Sequence, residues 1–581
     1  KAYIKISSLN MRGRFHRGED KWLRINQIMR DRKIGVLAVQ ETHFSPADVD
    51  DVHKLFSKRL QVFATIDPTS PQSKGVAIVV NKEVSNIVGI KTKVIIPGRA
   101  LHLTIPWHGD QKLTILAAYA PNDSAENTPF LSKIEEKTRG LAKPDISLGD
   151  WNMVEDSMDR IPHHSDPSSV TDVMRDFKSK LGLIDGWRQT FPDSKAFTFL
   201  QTATGSQSRI DRILVTDRVF RNSYDWQIES PGIHTDHQLV SVKFSDPKMP
   251  FIGKGRWAQK VFLLTVESVM ERINTIGLEY EAGIADSKTR RTDDNNPQLI
   301  MVALKEAMTE IFRQKEKTMI PKMEKEIKNM KKKLQETLND TRLNEDERKA
   351  EGASIQENVD ATERLRFQKA RDNAAARNRL DGETTATKYW TSVNKERAPR
   401  DTILSLLVPG SDPPVYQKRS DKMAEIARDF HDKLQTEDIA SPAEREAAEA
   451  KAFENIKKLS QQSKAKLSQY LTRGDIIQVL KKLPNGKAPG IDGLIHELWK
   501  TLHSRFEKAK EGHKRMDIAG IFKAVFNDIE KYGVHPDTNF AEGWMSLLHK
   551  KNDKRNVSNY RPITLLNTDY KIFTKALAIK L

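Results

Sequence analysis

The chain has 581 residues, is 38% hydrophobic and carries 96 Lys and Arg against 79 Asp and Glu, a formal charge of +17. At roughly 100–200 residues per domain this allows about three to five units, and a cationic surplus of this size points to a polyanionic partner, nucleic acid being the commonest. Without a single cysteine, disulfides, thiolate zinc sites and a cysteine nucleophile are excluded, and no apolar run reaches the ~18 residues of a membrane span.

The opening Lys1 leads at once into a strand-like run, with no initiator Met and no secretory signal. "ALAIKL" stops inside an apolar pattern. Both ends therefore read as cut from something longer, and an intracellular protein with no membrane partner is expected. From residue 1 to about 245 come short apolar runs rich in β-branched residues: "YIKISSLN", "IGVLAVQE", "GVAIVVN", "LHLTI", "LTILAAYAPN", "DISLGDWN", "SRIDRILV" and "DHQLVSVKF". Each has strand length and polar or turn residues at its edges. Between them Trp22, Ile25 and Met29 share one helical face, as do Val173, Phe177 and Leu181. The pattern predicts a mixed α/β (α+β) domain over 1–245.

Pro and Gly in "SDPKMPFIGKGRW" interrupt this pattern. Residues 246–400 then read as a charged helical linker region. Met323, Ile327, Met330, Leu334 and Leu338 approach a heptad seam, too short to establish a coiled coil. "KEIKNMKKKLQ" either meets phosphate or forms a solvated helical face, and "LNEDERKAEGASIQ" breaks one helix from the next. "VPGSDPPVY" is a further linker, 401–465 a helical connector, and 466–581 holds "LPNGKAPGIDGL" and "YRPITLLN". His163 and His164 fall in a polar loop and are expected to face solvent. Trp107 and Trp151 either stack on bases or support packing.

Chemistry concentrates where the strands of the first domain end. "KISSLN" ends at Asn10, "VLAVQE" at Glu41, "LTILAAY" at Tyr119 with Asn122 just beyond, and "DISLGD" at Asp150 with Asn152 next but one. Asp211 lies within "SRIDRILV", and Asp236 and His237 open the last strand. Strands side by side would gather these groups on a common rim. Phosphodiester hydrolysis needs a hard cation on carboxylate oxygens, for which Glu41 is placed. It needs a base or water-orienting group, Asp150 with Asn152. Donors to the charged phosphorus oxygens are Asn122, Asn152 and His237, and Tyr119 is placed to assist the leaving oxygen. Asp211 would hold the His237 tautomer.

The series "LNMRG", "VQETH", "AYAPN", "GDWN", "SRIDRIL" and "TDHQLV" resembles the endonuclease/exonuclease/phosphatase superfamily, its abasic-endonuclease branch above all. The resemblance implies a four-layer α/β sandwich of two packed mixed sheets with helices outside. It implies Mg²⁺ (or Mn²⁺) at Glu41, shared with Asp236. Phosphate contacts fall to Asn10, Tyr119, Asn122 and His237, and nucleophile activation to Asp150 and Asn152. An acid usual two residues after the first Asn is replaced here by Arg12. "FTFLQTATGSQSRIDRIL" resembles retroelement endonucleases, which places Thr198 and Ser208 beside the bound phosphate. "NGKAPGIDGL" and "SNYRPITLLN" resemble the start of a non-LTR (LINE-like) retrotransposon reverse transcriptase, with "LDGETTATKYW" in the spacer before it. A truncated fingers-like region is thus expected over 466–581. No double-aspartate hairpin follows "RPITLLN", so polymerase activity is not expected. The implied function is a DNA endonuclease that nicks duplex DNA for target-primed reverse transcription, nuclear, with the element's RNA as a further partner. The alternatives are an abasic-site repair nuclease or another phosphoesterase of the superfamily, and a non-catalytic nucleic-acid-binding protein.

Overall fold

The computed structural model describes residues 3–70, 72–107, 111–201, 203–246, 255–319, 321–340, 342–344, 346–348, 350–363, 402–454, 456 and 459–581. The segment "LDGETTATKYW" lies outside the described residues. Contacts divide the chain into two compact units, Lys1–Phe251 with Met323–Thr402, and Ile252–Lys322 with Ile403–Leu581.

The first unit is built on two six-stranded mixed sheets. One runs, edge to edge, Ser223–Glu229, Leu239–Phe244, Ile4–Asn10, Ile34–Gln40, Val76–Asn81 and Leu60–Thr65; the other Leu183–Asp185, Asp211–Thr216, Ile146–Asp150, Lys112–Tyr119, Ala100–Pro106 and Lys91–Ile96. Period-2 alternation assigns each strand two buried faces. Val36 and Ala38 join Ile115, Ala117 and Leu148 in the layer between the sheets. Leu37 and Val39 face the helix Trp22–Asp31, where Trp22, Ile25 and Met29 are buried. Leu116 and Ala118 face Phe130, Met174 and Phe177 on the other side. The result is the four-layer sandwich. Trp151 is wholly buried against Phe177, ring centroids 5.8 Å apart, so it supports packing and does not stack on bases. Trp107 packs on Phe244 at 4.3 Å. His163 and His164 are exposed, each bonded to a backbone carbonyl.

The segment 246–400 is shared between the two units. The helix Pro321–Asn339 belongs to the first, where Leu338 is buried with Ile161 and Phe197 and Leu334 packs beside them. The apolar seam thus meets Ile161 and Phe197 of the strand-rich part of this unit, and Gly352 of the 350–363 helix also lies against Leu338. Residues 350–363 are helical as well. By contrast, the helices Glu267–Thr289 and Pro297–Met319 supply Val269, Met270, Ile273, Met301, Leu304 and Met308 to the core of the second unit. That core is completed by the helices Arg473–Lys482, His496–Glu507, Ile518–Tyr532 and Thr568–Lys580. A deep ionic group in this unit pairs Lys305 with Asp569 at 2.7 Å and Asp492 at 3.3 Å. "VPGSDPPVY" forms a small hairpin, Leu406–Leu407 with Tyr416–Gln417. "YRPITLL" pairs along its length with Gly543–His549 in a two-stranded ribbon. Among the described residues no helix is long and apolar enough to cross a membrane.

Candidate active site

Sheet register brings the polar strand ends together. Asn10 pairs with Gln40 on the parallel strand, which sets Glu41 just past its end. In the second sheet Asp150 pairs with Tyr119 on one side and Asp211 on the other, so three functional side chains share one row. The 236–238 segment is fixed by a small three-stranded sheet beside it, of order Arg160–Ile161, Ser206–Ser208 and Phe199–Gln201. Leu200 N–H donates to Asp236 O at 3.1 Å, Gln238 N–H donates to Thr198 O at 2.7 Å, and Phe199 bridges His237.

The side chains converge accordingly. Asn10 Nδ2 donates to Glu41 Oε1 at 2.8 Å and to Asp150 Oδ2 at 3.0 Å, tying the ends of the two sheets. The Tyr119 hydroxyl donates to Glu41 Oε1 at 3.1 Å. Asn152 Nδ2 donates to Asn122 Oδ1 at 2.9 Å, and its backbone N–H to Asp150 Oδ1 at 3.0 Å. His237 Nδ1 lies 2.8 Å from Asp211 Oδ2, and its Nε2 lies 4.0 Å from Asp150 Oδ2. Asp150, Asp211 and His237 are all buried.

Burial and hydrogen bonding set the charges. Burial opposes ionisation of Glu41, yet hydrogen bonds from His43, Asn10 and Tyr119 outweigh it and bring the carboxyl down to about 2. Asp150 is pushed the other way, by burial and then by the negative charge of Asp211. Burial works against the imidazolium of His237, but Asp211, by charge and hydrogen bond, raises it above its ordinary value. Tyr119 stays a neutral phenol, pushed upward by burial and the charges of Glu41 and Asp150. Glu41 is thus favoured as a carboxylate, Asp150 is biased toward taking a proton, and the His237 imidazole is held in one orientation.

Of the residues expected here, Asn10, Glu41, Tyr119, Asn122, Asp150, Asn152, Asp211, Asp236 and His237 come together. Thr198 and Ser208 are expected beside the bound phosphate, and Thr198 has a structural role as well. It is fully buried, and its hydroxyl accepts the N–H groups of Ile210 at 3.1 Å and Asp211 at 3.0 Å. It thereby positions Asp211, since a hydroxyl in a closed interior must satisfy the nearest backbone donors. Ser208 lies on the same small sheet, its carbonyl accepting the Thr198 N–H at 2.9 Å. Several contributors carried no signal in the strand-end pattern. His43 Nε2 lies 3.5 Å from Glu41 Oε2, the Phe199 ring lies 4.9 Å from that of His237, and Arg12 Nη1 pairs with Asp236 Oδ2 at 2.8 Å.

Among the described residues one cluster has the geometry to hold a cation. Asp150, Asp211 and His237 each offer a ligand atom within 4.8 Å of the others. Glu41 and Asp236 are further carboxylates of the rim outside that group; Asp236 Oδ2 pairs with Arg12 at 2.8 Å, and its Oδ1 is buried with no hydrogen-bond partner.

The strand-end acids and amides around the Asp–His pair lie within residues 7–246, the span that matches the profile of the Endonuclease/Exonuclease/phosphatase family. Over its whole length the chain is 26% identical to the Transposon TX1 uncharacterized 149 kDa protein of Xenopus laevis, and it spans 42% of that relative's length. Among solved structures, the AP endonuclease LMAP from Leishmania major matches 42% of this chain and 89% of its own, at 16% identity and a TM-score of 0.37. The endonuclease domain of TRAS1, a telomere-specific non-LTR retrotransposon, matches 42% of this chain and 98% of its own, at 17% identity and a TM-score of 0.32.

Proposed function

We propose that residues 1–245 form a divalent-metal-dependent endonuclease that nicks duplex DNA, within a non-LTR retrotransposon polyprotein whose nick supplies the primer for reverse transcription. The observation that carries this reading is the alignment of Asp211, His237 and Asp150 beside the ionised Glu41, an acid–base unit next to a hard anionic ligand. Attack of water on phosphorus breaks the P–O3′ bond and leaves a 3′-hydroxyl and a 5′-phosphate. Asp150, whose proton affinity is raised, takes the water proton while Asn152 fixes its carboxylate through the backbone bond. His237, held through Nδ1, presents Nε2 as a donor to a phosphate oxygen as charge grows there. Asn122, oriented by Asn152, donates alongside it. The Tyr119 phenol is available to protonate the departing O3′.

Glu41 and Asp236 are the residues that would hold the ion. Oxygen-only donors suit Mg²⁺ or Mn²⁺, and the unpartnered buried oxygen of Asp236 is a free ligand position. When bound, such an ion neutralises the scissile phosphate. In this reading the Asp150–Asp211–His237 trio handles protons, with His237 Nδ1 committed to Asp211 at 2.8 Å. In this reading the protein acts in the nucleus, 466–581 is the beginning of a reverse-transcriptase fingers region, and the element's RNA is a second partner.

The test is incubation with supercoiled plasmid and Mg²⁺, with the nicks mapped. Intact duplex, abasic duplex and a small phosphoester are run in parallel. Nicking of intact duplex with 3′-hydroxyl ends is the expected result. Cleavage confined to abasic duplex, or to the small ester, assigns a repair nuclease or another phosphoesterase, and no metal-dependent cleavage at all assigns a non-catalytic protein.

A further inference from the structure

The catalytic rim carries a small projecting element that the chemistry does not use. Phe15–His16 pairs with Glu19–Asp20, Phe15 opposite Asp20 and His16 opposite Glu19. The connection is only Arg17–Gly18, with φ of +47° and +80°. Two central residues with positive φ mark a type I′ turn, whose first position favours Asn, Asp or Gly; an arginine there is held against its steric preference.

This hairpin is anchored at its base and bare at its tip. The buried Arg14 guanidinium bonds Asp20 at 2.7 Å and Asp48 at 2.5 Å. Lys21 Nζ clamps the carbonyls of Met11 at 2.7 Å and Arg12 at 2.9 Å. The His16 ring stacks on His234 at 3.6 Å, two residues before Asp236, and Arg12 pairs with Asp236 itself. Beyond this footing, the Phe15 side chain is 57% exposed and Arg17 is exposed. A single exposed phenylalanine is ordinary. One set on a rigid two-residue hairpin, between arginines and joined to the entrance of a phosphoesterase site, presents a flat apolar face flanked by cations. That combination matches stacked bases bordered by phosphates.

We propose that the Phe15–Asp20 hairpin is a DNA-engaging wedge. Phe15 inserts against the base step next to the scissile phosphate, and Arg17 contacts the flanking backbone. The inference rests on the reading of the domain as a DNA endonuclease and adds how the duplex is gripped. Turn strain makes the test unusually discriminating, because Arg17→Asn suits the turn better while removing the cation.

The full chain is compared with Arg17→Asn and Phe15→Ala, using duplexes with 2-aminopurine beside the mapped nick. Arg17→Asn is expected to melt at or above the wild-type temperature. Its slope of log binding constant against log salt should nonetheless be shallower by about 0.9, one phosphate contact. Phe15→Ala is expected to weaken binding about 5- to 100-fold, as for loss of an aromatic–base stack, and to abolish the fluorescence rise that the wild type produces by unstacking the probe. Wild-type nicking with both variants unchanged in salt slope, affinity and fluorescence overturns the wedge and leaves the endonuclease reading standing. A wild-type chain that neither binds nor nicks duplex DNA overturns that reading, and the wedge with it.

Discussion

Replacing Asp211 by Asn probes the centre of the proposed chemistry with almost no change in shape. Asp211 is fully buried, its Oδ2 lies 2.8 Å from His237 Nδ1, and its backbone N–H is pinned by Thr198 at 3.0 Å. The side chain therefore has little freedom to move elsewhere. With a carboxylate, Nδ1 must carry hydrogen. With an amide, the NH₂ can turn toward the ring and favour the opposite tautomer, and the countercharge for an imidazolium is gone. A positioned acid–base group contributes about 10²–10⁴-fold, and the equivalent Asp-to-Asn change in a serine hydrolase triad costs about 10⁴. A loss of 10³–10⁴ corresponds to about 4–5.5 kcal/mol of transition-state stabilisation. The assay is single-turnover nicking of supercoiled plasmid at saturating Mg²⁺, with a melting curve for each variant. Because the two side chains serve one function, Asp211→Asn with His237→Ala should cost little more than the worse single change. Losses that simply multiply, or a single-mutant loss below about threefold at intact melting temperature, would refute the coupling.

Glu41→Gln keeps the shape and removes the charge, so nicking should vanish or need much more Mg²⁺; full wild-type activity in EDTA would contradict the metal role. In the second sheet, burial opposes ionisation of Asp185, but the charges of Arg209 and Arg212 outweigh it and lower the group from 3.8 to about 2. Because the folded pKa is depressed, this contribution, about 2 kcal/mol, is present above pH 3.8 and drains away as the pH falls from 3.8 toward 2. Urea unfolding across that window should be less pH-dependent in Asp185→Asn, and an identical pH slope would count against the assignment. Lys305→Met strands Asp569 and Asp492 in the second unit and should destabilise it by about 3–5 kcal/mol. Limited proteolysis should then cut 466–581 sooner while the nuclease sheets resist, and unchanged protection would show that the ion group is dispensable.

The nuclease site was legible in the sequence because strand ends are legible. An apolar run stops where its flanking polar residue must leave the sheet, and Asn10, Glu41, Tyr119 and Asp150 each occupy such a stop. Pairing register then aligns them, as in Asp150 between Tyr119 and Asp211. Thr198 has a structural role that the sequence pattern does not carry. A threonine near the site reads as a phosphate contact, yet the pattern does not reveal that the N–H groups of Ile210 and Asp211 would otherwise lack acceptors. The Leu334–Leu338 seam showed that a helix face is buried but not what buries it. Periodicity specifies a face and carries no information on its partners, here Ile161 and Phe197 together with Gly352 of the 350–363 helix. Within 246–400, charge hides core helices: apolar residues at helical spacing, such as Met301, Leu304 and Met308, suffice to make one even among lysines and glutamates.

What the linear pattern hides most completely is backbone strain. Arg12, Glu41, His43 and Asn152 all have φ between +48° and +50°, a region that costs a non-glycine residue about 1–3 kcal/mol. Glycine would relieve that cost, but it would also remove the side chain. The strain persists because neighbours over-determine each turn. Gly13 N–H bonds Glu41 O at 2.8 Å, Asn10 Oδ1 accepts the Arg12 N–H at 3.0 Å, and Asn152 N–H is held by Asp150 at 3.0 Å. The left-handed turn after each strand sends the following side chain back across the strand ends, so Glu41 meets Asn10 and Asn152 meets Asn122. A domain selected for stability alone would place glycine or asparagine at such positions. Glutamate and arginine there, held by hydrogen bonds from the very groups they face, are what a sheet edge built to act on phosphate requires.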